Sequence, residues 1–121
     1  MIPISKDSIE LKEISGTIFV RFNSIIFLRS LINRKHSFVK IAGKNETEIF
    51  HSLKWLQVNL PKPLFCRCHK EYIVNCLYIK SLNYARSKII LHGCDEIPFS
   101  RLNRKKLIST YKEFLSIINY A

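Results

Sequence analysis

The sequence predicts a mainly β domain with one short internal helix and a C-terminal helix. Through the first two-thirds of the chain, apolar stretches of strand length recur at short spacing, punctuated by Gly, Asn, Ser and Pro. Within that region only Leu53 to Asn59 follows a good N-cap, Ser52, and stops at prolines, Pro61 and Pro63. The end of the chain alone has helical periodicity: Leu107, Tyr111, Phe114, Leu115 and Ile118 share a face, with Lys105, Lys112 and Glu113 off it. At 121 residues, 47% apolar and 12% aromatic, the chain reads as a single domain with a core that needs no staple.

Residues 9–14 alternate with period two, as a half-buried strand does. Ser15-Gly16 turns the chain, and Thr17 to Phe22 returns as the hairpin partner. Ile25-Ile26-Phe27-Leu28 is a continuous apolar run, expected of a strand covered on both faces. A basic loop, Asn33-Arg34-Lys35-His36, leads to a strand over Ser37 to Ile41, a turn at Gly43-Lys44-Asn45 and an extended segment from Glu46 to Phe50. After the internal helix, the residues before the two prolines are pushed toward extended geometry. Strands follow at Leu64 to Cys68, Tyr72 to Asn75, Tyr78 to Asn83, Lys88 to Leu91 and Ile97 to Phe99, with a tight turn at Gly93-Cys94-Asp95. The terminal helix runs from about Leu102. Trp55, Phe65 and Tyr72 read as core, and Asn75 as a group that ties a turn.

Charge is where the composition departs from the ordinary. Lys and Arg number 20 against 9 Asp and Glu, a net charge of +11. Through Glu13 the balance is slightly acidic; between Arg29 and Lys44 there are five basic residues and no acid, and Arg101 to Lys106 adds four more. Clustered cations fit a nucleic-acid face, where neutralised phosphates release counterions. A membrane surface would call for an amphipathic basic helix or a lipidation signal, and neither is clear. With no secretory signal and no apolar run of spanning length, the chain reads as cytoplasmic, with no membrane partner and with free thiols at its 4 cysteines.

Enzyme readings are thin. The two aspartates, Asp7 and Asp95, pair with no second acid, and glycines at 16, 43 and 93 build no phosphate loop. A small basic ribonuclease using His36 and His69 as acid and base, with Lys70 on the phosphate, is the enzyme alternative. Cys66, Cys68, His69, Cys76, His92 and Cys94 include zinc-type ligands, but no CxxC pair exists, so neither metal nor cofactor is expected.

The chemistry concentrates in Phe65 to Asn75, FCRCHKEYIVN, and in Pro98-Phe99-Ser100-Arg101. Leu60-Pro61, then Phe65-x-Arg67-x-His69-Lys70-x-Tyr72-Ile73-Val74-Asn75, then Ile97-Pro98-Phe99-Ser100-Arg101, follow the Ile25 to Leu28 strand and the Ser52-Leu53-Lys54-Trp55-Leu56 helix. This order resembles the LytTR DNA-binding domain, the output module of bacterial response regulators of the LytR and AgrA kind, over about residues 9–114. The resemblance implies an elongated stack of small antiparallel sheets that reads double-stranded DNA with loops in successive major grooves. It also implies transcription regulation without catalysis, on direct repeats, with two copies side by side. A nonspecific nucleic-acid-binding module is the alternative.

The resemblance places base contacts at Lys35 or His36, at Lys70 and at Arg101. An arginine fork can bond guanine O6 and N7, and lysine can donate to the same acceptors. Arg34, Arg67, His69, Arg104 and Lys105 are expected to hold phosphates and fix register. The duller alternatives are solvated surface charge for the cations and a structural hydrogen-bonding role for His69. Glu71 departs from the family's small polar residue; its carboxylate would pair with Lys70 and weaken that contact. Some relatives form a disulfide from the position of Cys68; its partner position falls on Glu96 here, leaving Cys94 as the candidate. Such a switch needs a depressed thiol pKa at Cys68, supplied by His69 and Lys70; inert buried cysteine is the competing reading. Too few residues precede the match for the family's usual receiver domain, so none is expected in this chain and a separate signalling partner takes its place.

Overall fold

The computed structural model describes residues 7–31, 35–93 and 95–119. Strands β1 (Ser8–Glu13) and β2 (Gly16–Arg21) form the opening hairpin, in register from Ser8↔Arg21 to Glu13↔Gly16. Gly16 supplies the positive φ, 140°, that its turn requires. The central sheet contains β3 (Ile25–Ser30), β4 (Ser37–Ile41), β5 (Thr47–Ile49), β6 (Phe65–His69) and β7 (Tyr72–Asn75), in the order β5-β4-β3-β7-β6. A third sheet, in the order β10-β9-β8, is built from β8 (Ile79–Asn83), β9 (Lys88–Leu91) and β10 (Ile97–Pro98). Helix α1 (Leu53–Asn59) joins β5 to β6, and α2 (Arg104–Asn119) closes the fold. The strand pairings among the described residues are antiparallel.

The central sheet is covered on both faces, and the alternation of its side chains divides the core. Leu28, Val39, Ile49, Phe65 and Ile73 pack with α1 and the β1–β2 hairpin. Their sequence neighbours Phe27, Cys66 and Val74 pack with β8, β9, β10 and α2. Adjacent strand residues point to opposite faces, so an unbroken apolar run such as Ile25 to Leu28 serves both cores at once. Ser52 caps α1 as expected, its Oγ accepting from the Trp55 amide at 3.1 Å.

Asn75 sits where the two cores meet and is fully buried. Its Nδ2 donates to the Phe22 carbonyl at 3.0 Å and the Ile25 carbonyl at 2.7 Å, and its Oδ1 accepts from the Leu77 amide at 2.9 Å. One side chain thus ties the single-turn 3-10 helices at Phe22–Ser24 and Cys76–Tyr78. The second of these delays β8 to Ile79, one residue after the expected start. The terminal helix also starts later than expected. The Asn103 amide donates to Ser100 Oγ at 3.1 Å, and the Asn103 carbonyl accepts the helical bond from Leu107 at 2.9 Å. Leu102 therefore lies in the preceding turn, 91% exposed. Ile118, expected on the core face, is 44% exposed because α2 runs past the end of that core. Trp55, also expected in the core, stacks its ring on His51 at 4.0 Å from the surface of α1.

Candidate nucleic-acid interface

The hydrogen-bond ladder determines which loops share an end of the central sheet. Strand β3 runs up to Ser30, and its antiparallel partner β7 starts at Tyr72, opposite Arg29. The Ser30 amide donates to the Glu71 carbonyl at 3.0 Å. The β3–β4 loop, carrying Lys35 and His36, therefore emerges beside the β6–β7 turn, carrying Lys70. A third loop is tied to the outer edge of β6. The Ser100 amide donates to the Cys68 carbonyl at 2.9 Å, and Asn103 Nδ2 donates to the Arg67 carbonyl at 3.0 Å. Arg101 lies between those two anchors and is exposed.

Within the β6–β7 turn, charge and hydrogen bonding are tightly arranged. Arg67 donates from Nε to the His69 carbonyl at 2.9 Å, from one terminal nitrogen to Gln57 Oε1 on α1 at 2.9 Å, and from the other to the Lys70 carbonyl. The expectation that Arg67 faces phosphate is thus met by a different arrangement: its guanidinium turns inward, across its own hairpin. His69 Nδ1 accepts from the Glu71 amide at 3.0 Å, a role that requires a neutral ring. Burial is the largest cause holding the His69 pKa below its ordinary value; Glu71 opposes it, and Lys70, Arg67 and Lys88 add to it. Ser30 Oγ donates to Glu71 Oε1, so the carboxylate expected beside Lys70 is tied to β3. Lys70 itself is exposed and lines a shallow depression with Ser30, Ser52, Lys54, Arg67 and Glu71.

The remaining expected contacts divide. Lys35 is exposed. His36 is half-buried, its Nδ1 3.0 Å from Glu48 Oε2 and its ring stacked on Phe50 at 4.6 Å. Arg104 lies over the Tyr84 ring at 4.1 Å, which joins α2 to the β8–β9 turn, and Lys105 is exposed. Arg34 and Cys94 lie outside the described residues. Cys68 contradicts what a redox switch needs. It is fully buried, burial pushes its thiol pKa up, and its Sγ lies 3.7 Å from the Tyr72 carbonyl and 3.6 Å from the Pro98 carbonyl. Sequence reading missed Lys54, which shares the depression with Lys70, and Lys88, whose charge reaches His69. Both are single cations on otherwise ordinary elements, so only the fold could place them.

Three antiparallel sheets, with basic loops on adjacent strands of the central one, define a β-scaffolded domain with a candidate nucleic-acid face. The chain belongs to the LytTr DNA-binding domain family, whose profile matches residues 15–112. It is 28% identical over 102 residues to accessory gene regulator protein A of Staphylococcus epidermidis, a match covering 84% of this chain and 41% of that protein. Its counterpart from Staphylococcus aureus is 25% identical over 103 residues, covering 85% of this chain and 42% of the relative. The chain thus spans about two-fifths of the length of the curated relatives it matches. The solved LytTr DNA-binding domain of a response regulator from Bacillus cereus superimposes with a TM-score of 0.73 at 25% identity, covering 88% of this chain and 97% of that one. No helix among the described residues is long and apolar enough to cross a membrane.

Proposed function

We propose that this protein is a sequence-specific double-stranded DNA-binding regulator of transcription that acts in the cytoplasm and reads successive major grooves with three loops. The loops are those of Lys35 and His36, of Lys70, and of Arg101. The observation that carries this reading is their shared support: Ser30 bonds to Glu71, and Ser100 bonds to Cys68, so the three basic loops hang on adjacent strands. Arg101 suits bidentate recognition of guanine; Arg104 and Lys105, on the following turn of α2, suit phosphates. Direct repeats occupied by two copies, and a separate signalling partner, complete the proposal.

Competition binding tests it. A duplex selected from random DNA and a scrambled duplex are compared at two salt concentrations. Specific recognition keeps a preference at both, while both affinities fall with a log–log slope of about −0.9 per phosphate contacted. Equal affinity for the two duplexes would leave only a nonspecific nucleic-acid-binding module. Cleavage of labelled RNA by the protein would replace the proposal with the ribonuclease reading of His36, His69 and Lys70.

A further inference from the structure

The β6–β7 connection presents a conformational problem that its own two residues do not solve. His69 pairs with Tyr72 across the hairpin, so only Lys70 and Glu71 form the loop. Two-residue hairpin loops favour primed turns, whose positive φ angles call for Gly, Asn or Asp. Lys70 and Glu71 are neither, and Ser87 is the single non-glycine residue with positive φ among the described residues. The strand register also shifts between Arg67 and His69, as a bulge does. Something other than local preference must fix this turn.

Three side chains surround it. Arg67 reaches from beneath to the carbonyls of His69 and Lys70, His69 takes the Glu71 amide, and Ser30 takes the Glu71 carboxylate. Arg67 is itself held from behind by Gln57 of α1. We infer that Arg67 is a positioning residue: its guanidinium, backed by Gln57, clamps the 69–71 turn so that Lys70 is presented to DNA in one conformation. The fork geometry matters, since three donors point to three acceptors at once and a lysine ammonium cannot reproduce that pattern. Burial works against the Arg67 charge, and the carbonyls of residues 69 and 70 together with Glu71 favour it.

This inference rests on the proposed reading of DNA by Lys70, and its test separates the two. Wild type, Arg67→Lys, Arg67→Gln and Gln57→Leu are titrated with the selected duplex and the scrambled duplex at several salt concentrations. A positioning role predicts that Arg67→Lys loses about tenfold on the selected duplex, the factor set by a hydrogen-bonding difference of about 1.4 kcal/mol. Scrambled-duplex binding and the salt slope stay unchanged, and Gln57→Leu, which removes no charge, loses in the same direction. With Lys70→Ala already present, Arg67→Lys should cost less than about twofold more, because coupled residues are not additive. Near-normal binding by Arg67→Lys, or a salt slope reduced by about 0.9 in Arg67→Gln, overturns the inference in favour of a phosphate contact. If wild type shows no preference between duplexes, the DNA reading fails. The clamp is then decided in the free protein by the NMR order parameter of the Lys70 amide. That value should drop from about 0.85 to below about 0.6 in Arg67→Lys, and an unchanged value overturns the clamp.

Discussion

Replacing Asn75 with alanine removes three hydrogen bonds from the junction of the two cores without touching any loop proposed to meet DNA. The bond from Nδ2 to the Ile25 carbonyl is fully buried at 2.7 Å, so its loss orphans an acceptor that water cannot reach. That term alone should cost about 2 kcal/mol. The bonds to the Phe22 carbonyl, at 3.0 Å, and from the Leu77 amide, at 2.9 Å, are partly exposed, so water replaces them in part. At about 0.5–1 kcal/mol each they bring the total to about 3–4 kcal/mol. For a chain of this size that lowers the melting temperature by about 12–16 °C. Urea denaturation followed by circular dichroism measures it, with the folded baseline checking that the fold survives. Asn75→Asp provides an internal control. It keeps the acceptor for Leu77 but sets a carboxylate against two carbonyls, so it should destabilise at least as much at neutral pH and recover partly on acidification. A loss below about 1 kcal/mol for the alanine variant would refute the claim that these bonds hold the junction.

Arg101→Ala should cost about 1–3 kcal/mol of binding to a selected duplex and relax preference at one base pair; a uniform loss across sequences in a binding-site selection would make Arg101 a phosphate contact. Lys105→Ala should weaken binding evenly and flatten the salt slope by about one unit in titrations over a salt series; unchanged affinity would remove Lys105 from the face. Stability should fall with pH below the ordinary histidine value of 6.5, because His51 Nε2 accepts the Lys12 amide at 3.0 Å and His69 Nδ1 accepts the Glu71 amide, and both need neutral rings. Burial first, and then Lys12, lower the His51 pKa, so the folded state binds fewer protons than the unfolded chain and its advantage fades as pH drops. Urea midpoints should be flat between about pH 8 and 7 and lower near about pH 5.5, and His51→Gln should reduce that slope.

Most of the strand order was legible because apolar runs of strand length are hard to place otherwise. Ile25 to Leu28 had to be covered on two sides, and the structure divides that run between two cores. The misjudged residues are those whose environment is set by a distant element. Ile118 keeps the helical period of α2, but period says nothing about where the core ends. Trp55 reads as core by hydrophobicity, yet its ring rests on His51. Charged loops were found by composition and motif. The inward turn of Arg67 was not, though a signal existed. Arg67 lies two residues after Phe65, so strand alternation puts both on the α1 side of the sheet. The thiol of Cys68 shows the converse: nearby cations in sequence suggested a low pKa, and burial raises it instead.

The absence of turn-forming residues at Lys70-Glu71 has a physical logic. A self-holding primed turn would use Asn-Gly, which fixes its own backbone but gives up the cation. Holding the turn from outside, through Arg67, His69 and the Ser30 bond to the Glu71 carboxylate, frees Lys70 to be chosen for what it touches. Places where local preference loses to a surrounding constraint are where function is expected. Converting Lys70 to alanine should therefore separate folding from recognition. Lys70→Ala should stay within about 0.5 kcal/mol of wild type in urea denaturation, since Lys70 is exposed and the clamp grips its carbonyl, not its side chain. Its preference for a selected duplex should nonetheless collapse toward its affinity for a scrambled one. A clear loss of stability in Lys70→Ala would mean that the Lys70 side chain stabilises the hairpin itself, and the division of labour between turn and clamp would be wrong.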